Sequence, residues 1–160
     1  MPAQDVTPTL LDRAGIERAI PHRPPFLLVD SVLSIEPGAS LRAAKRATGG
    51  NWWVASSTSC AVALPHCLVL EALAQAGGIL LAHSAGDGSL PGAIGLLTRI
   101  RSCAFGRQVL RDDEVLLACR LVHWRRSIAV LATRATVEHD MVAEAEIAFI
   151  IKQAPNGNPA

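Results

Sequence analysis

From Leu64 to Ala82 almost every position is apolar or small, and the polar side chains within the run are His66, Glu71 and Gln75. A helix without a polar face needs protein on every side, so the run predicts a central helix over about 65–83. Pro65 suits its first turn, and Gly86 and Gly88 lie past its end. After it, 93–105, 114–123, 127–138 and 141–151 read as strands. Val137, His139 and Met141 alternate there with Glu138 and Asp140 around a tight turn.

Before the helix, Asp12 can cap a short helix over 12–20 that Pro21 stops. Phe26 to Ile35 reads as a strand ended by Pro37-Gly38, with Leu41 to Thr48 as its partner. The stretch 49–63 is rich in small and hydroxyl residues, carries Trp52 and Trp53, and has no helical period, which predicts a loop or broken strand.

Consecutive strands on short loops favour an antiparallel sheet, and one helix apolar all round implies that the sheet curls about it. The expected class is α+β with a single domain over 11–152, between flexible tails at 1–10 and 153–160 that are Pro-containing and polar. No internal repeat is visible.

Composition narrows the function classes. The chain has 160 residues, half of them hydrophobic, with Lys+Arg 15 against Asp+Glu 14. That length can bury a complete core without staples, and the near-neutral balance disfavours both disorder and a nucleic-acid footprint. Cys60, Cys67, Cys103 and Cys119 have no C-x-x-C spacing, and the chain start lacks a signal peptide's apolar core, so a reducing cytoplasm is expected. His66, Glu71 and Gln75 would be costly in lipid, so no membrane insertion is expected. Charge is uneven locally: 99–134 holds eight arginines against Asp112, Asp113 and Glu114. Such a segment is either a set of solvated strand edges or a landing site for an acidic or phosphorylated partner.

Three motifs carry a family resemblance. The stretch Ile20 to Asp30 (IPHRPPFLLVD), the helical Leu70 to Ala76 (LEALAQA) and the late Val142 to Glu146 (VAEAE) resemble, in order and at compatible spacing, the 3-hydroxyacyl-[acyl-carrier-protein] dehydratases. The resemblance spans about 16–152 and implies the hotdog fold, a curled antiparallel sheet around one long central helix, and a dimer whose sheets join edge to edge. It also implies an acyl carrier protein or coenzyme A thioester as partner and no cofactor. In that family a His on the loop before the helix and an acid on the helix work together across the dimer. Dehydration needs such a pair, a base for the proton beside the carbonyl and an acid for the departing hydroxyl.

Glu71 matches the helix acid. An unpaired carboxylate in an apolar helix would be costly as an anion, which suits a proton donor, whereas the alternative is a structural Glu bonded to loop backbone. The His does not match: counting back along the family's loop, its place falls on Ser57, and the His-Phe-Pro-Gly signature is absent. His66, at the helix start, is the nearby histidine that could serve as base. Five residues, about 500° of rotation, separate it from Glu71, so the two could converge only across a dimer axis, and a capping His is the plainer reading. His22 is expected to anchor its segment to the sheet, and Gln75, on the Glu71 face, either ties down loop backbone or meets substrate. Ser57, Trp53 and Cys67 are further candidates for lining the acyl site, with Trp52 and Trp53 equally suited to an interface. No ligand-like spacing assigns a metal.

Three functions remain open: a dehydratase of fatty-acid or polyketide and polyene metabolism, a non-catalytic acyl-thioester binder or partner subunit, and an acyl thioesterase.

Overall fold

The computed structural model of the protein describes residues 9–48, 62–85 and 93–153. Helix α1, Arg13–Ala19, begins where Asp12 Oδ1 accepts the Gly15 N–H at 2.9 Å. Strands β1, Ser31–Glu36, and β2, Ser40–Arg46, form a hairpin. A short β3, Val62–Leu64, leads into the long helix α2, His66–Ser84. Then come β4, Ala93–Phe105, a two-residue β5, Val109–Leu110, β6, Glu114–Arg125, β7, Ile128–Val137, and β8, Asp140–Gln153.

Six strands make one antiparallel sheet in the order β1-β2-β6-β7-β8-β4, and β3 pairs with β5. This is the hotdog arrangement expected from the motifs, with α2 enclosed by the sheet. Register explains which side chains meet the helix. One inner row runs Ala43, Leu117, Ala135, Ala143 across four strands, all buried, and reaches Phe105 on β4. The outer rows alternate charge instead, so that Arg101 meets Glu146 at 3.1 Å and Arg134 meets Glu144 at 3.8 Å.

The helix is long and apolar enough to cross a membrane by composition, yet Val69, Leu73, Ile79, Leu80 and Leu81 are buried in this core. Burial of each such side chain stabilises by roughly 1.5–3 kcal/mol. Gly77 permits the contact: a Cβ there would lie 3.1 Å from Leu131 and 3.3 Å from Phe149. Cys119 also lies under the helix, where burial pushes its thiol up to about 12, well outside nucleophilic range.

Two expectations need correction. The strand expected from Phe26 begins only at Ser31, because the backbone of 26–28 bonds to a helix side chain and not to a neighbouring strand. The β3–β5 ribbon was not foreseen, since runs of three and two residues carry no period. At the chain ends, Leu10 N donates to Val32 O and β8 runs to Gln153, each one residue beyond the expected domain limits.

Candidate active site

The middle of the site is a buried amide. Gln75 is 2% exposed and uses both ends of its side chain: Oε1 accepts the Leu28 N–H at 2.8 Å, and Nε2 donates to Phe26 O and to Glu71 Oε1, both at 2.9 Å. A single side chain therefore fixes the 26–28 loop and the carboxylate one turn before it on α2. Its amide is consumed by the protein itself, which is the loop-tying alternative.

Glu71 is neither unpaired nor fully buried. Its side chain is 27% exposed, and Oε1 also lies 3.5 Å from Nε2 of His22. Among the described residues no donor reaches Oε2. Among the described residues, then, one oxygen of the carboxyl group is engaged and the other is not, the form in which such a group can exchange a proton with a substrate.

His22 was expected to secure its segment to the sheet, but the securing is done by its neighbour: Arg23 Nη1 donates to Ile20 O and to His22 O, both at 2.9 Å. With that loop tied to itself, the His22 imidazole is turned to the helix acid, and its Nδ1 is buried without a hydrogen-bond partner. Sequence reasoning missed this pairing because 49 positions separate the two residues and no period links loop to helix. The one available signal was that the Pro-His-Arg and helix-acid motifs occur together.

His66 occupies a different place. Its Nε2 lies 3.0 Å from Arg107 O, and its ring stacks on Phe105 with centroids 5.0 Å apart and planes 14° from parallel. A carbonyl only accepts, so a neutral His66 carries its proton on Nε2 and leaves Nδ1 bare. Arg107 is itself held by Asp113 at 2.9 Å. His66 and Glu71 make no contact within the chain, as their helical separation required. Cys67 is exposed on α2, and Ser57 and Trp53 lie outside the described residues.

Of the arginines in 99–134, Arg101, Arg107 and Arg134 are spent on carboxylates of the chain. Arg99, Arg111, Arg120, Arg125 and Arg126 are exposed and have no ion pair among the described residues.

Comparison with known proteins agrees with this geometry. A family model described as a FabA-like domain matches residues 20–146. The 3-hydroxyacyl-[acyl-carrier-protein] dehydratase FabZ of Listeria welshimeri is 39% identical over 146 residues, covering 91% of this chain and 99% of that protein. Among solved structures, the dehydratase heterocomplex ApeI:P of Xenorhabdus doucetiae aligns with TM-score 0.71 at 15% identity, over 88% of this chain and 91% of that one. A hot-dog-like protein of Thermanaerovibrio acidaminovorans aligns at TM-score 0.59 and 16% identity, over 74% and 84% of the two chains. With the family match spanning loop, helix and late strands, and the carboxylate standing where the motif requires it, the chain belongs to the FabA-like domain family.

Proposed function

We propose that the protein is a dehydratase for 3-hydroxyacyl thioesters of fatty-acid or polyketide and polyene metabolism, carried by acyl carrier protein or coenzyme A and processed in the cytoplasm. The observation that carries this reading is Glu71, held at Oε1 by Gln75 with Oε2 unengaged among the described residues, on the helix that matches the family motif. In the reaction the base takes the proton from the carbon beside the thioester carbonyl. The bond from carbon 3 to its hydroxyl then breaks as Glu71 gives that oxygen a proton, releasing water and the 2-enoyl thioester.

The base in this proposal is His66 of a second copy. Support comes from its bare Nδ1 and from its stacking on Phe105, at the end of the β4 edge. That edge has no partner strand among the described residues, and its helix-side residues Leu97, Ile100 and Phe105 are 39%, 45% and 48% exposed. A homodimer joined there would cover them. The unpaired arginines of 99–134 suit an acidic carrier protein, with binding that weakens with salt and with Arg126→Glu.

A second reading, an acyl-thioester binder or partner subunit without turnover, is favoured by Ser57 standing in place of the loop His. Incubating the purified protein with crotonyl and 3-hydroxyacyl thioesters, while following hydration, dehydration and hydrolysis together, separates the readings. Reversible hydration is expected. Binding without turnover would establish the binder, hydrolysis alone a thioesterase, and a fully active His66→Ala variant would remove the cross-dimer base.

A further inference from the structure

The contact between His22 and Glu71 has a chemical direction. Nδ1 of His22 is buried and meets no partner among the described residues, whereas Nε2 lies 3.5 Å from Glu71 Oε1. A buried N–H without an acceptor forfeits a strong hydrogen bond, so the cheaper state leaves Nδ1 bare and puts the proton on Nε2. In that tautomer the Nε2 proton lies on the side of Glu71 Oε1, and a modest shortening of the 3.5 Å contact, of the kind that occurs once substrate is bound, makes it a hydrogen bond. Gln75 Nε2 already donates to the same oxygen at 2.9 Å.

With the Gln75 N–H bonded to Oε1 and the His22 Nε2 beside it, that oxygen is the acceptor in either protonation state. When the acid holds a proton, the proton must therefore sit on the other oxygen. His22 is the titratable group in contact with Glu71 among the described residues, since the Arg23 guanidinium beside it turns to the Ile20 and His22 carbonyls.

We propose that His22 is a positioning residue for Glu71: neutral and protonated at Nε2, it shares Oε1 with Gln75 and so assigns the transferable proton to Oε2, the oxygen that no described residue engages. This deepens the dehydratase reading and rests on it for its role in turnover, but the arrangement itself can be tested without turnover. It also accounts for a His two residues after Ile20 whose ring does nothing to fasten its own loop.

The test has two arms. In the first, His22→Phe removes the donor while keeping a flat ring, and His22→Gln places an amide N–H where Nε2 stood. The expected result is a fall in kcat of at least about tenfold for His22→Phe with KM within about twofold, and recovery of most of the loss in His22→Gln. Wild-type kcat in His22→Phe, or a loss that His22→Gln shares in full, would overturn the proposal. In the second arm, long-range 1H–15N spectra of histidine-labelled protein report the His22 tautomer. The expected spectrum has a protonated Nε2 and a bare Nδ1, with the Nε2 signal moving in Glu71→Gln and standing still in Glu17→Gln on α1. Any other protonation pattern, or signals indifferent to Glu71→Gln, would overturn it. If wild-type protein turns over no thioester, the dehydratase reading falls, and the spectra still decide whether His22 holds Oε1.

Discussion

Glu71 and His66 lie less than two turns apart on one helix, yet their surroundings differ in kind. Around Glu71 the chain meets its own demands: Gln75 supplies the amide, the 26–28 loop closes over it, and His22 reaches in from the loop start. Around His66 the protein is built outward. The ring rests on Phe105 at the end of a strand with no second neighbour among the described residues, and its Nε2 meets a carbonyl of the turn that follows. Positioning of the acid is thus a property of the single chain, whereas anything His66 does to a substrate depends on what covers the β4 edge.

The sharpest way to break this contrast is at the acid. Glu71→Gln keeps the shape and the contacts of Oε1 but has no proton to give, so turnover of crotonyl thioester should fall by about 10²–10⁴ while light scattering and melting temperature stay near wild type. Activity equal to wild type would remove Glu71 from the chemistry. On the open side, Ile100→Asp puts a charge where an apolar residue awaits cover. It should weaken self-association by about 10², some 3 kcal/mol, as read by analytical ultracentrifugation. If oligomer size is unchanged, β4 is not the joining edge.

The next effect in size sharpens the closed side. Gln75→Leu fits the apolar helix but takes away the acceptor of the Leu28 N–H and a donor to the Phe26 carbonyl, and should cost about 1–3 kcal/mol in urea unfolding. A neutral result would mean that the loop finds other partners. Smallest is Asp113→Ala on the open side. Asp113 Oδ2 accepts from Arg107 at 2.9 Å and from Leu110 N at 2.8 Å, so its loss loosens the turn carrying the Arg107 carbonyl. About 1 kcal/mol of stability should go, with Glu71-dependent chemistry retained. A collapse of the fold would show that the two sides are not separate.

The parts of this molecule that were legible beforehand are those where many residues repeat one pattern. An unbroken apolar run can only be an enclosed helix, and 93–105 stands in the structure with those same limits as β4. The strand expected from Phe26 failed because one buried side chain 49 positions away took its hydrogen bonds, and a pattern along the chain does not register such a claim. Glu71 was recognisable from its motif as a helix carboxylate, and its separation from His66 along the helix already kept the two apart within one chain. That His22 would lie beside the same Glu71 oxygen that Gln75 holds depends on how Arg23 folds its loop back onto two carbonyls. Those contacts exist only in three dimensions.

The thirteen residues of β4 have a consequence beyond the site. A strand that long, apolar on its inner side and unpaired along one margin among the described residues, offers spare N–H and C=O groups to an extended segment that drifts past. If a second copy covers it, as proposed above, stability becomes a matter of mass action and dilution would act as a denaturant does. Its melting temperature should rise with protein concentration. Scarce copies, such as those newly made on a ribosome, are the ones exposed to capture by the wrong strand.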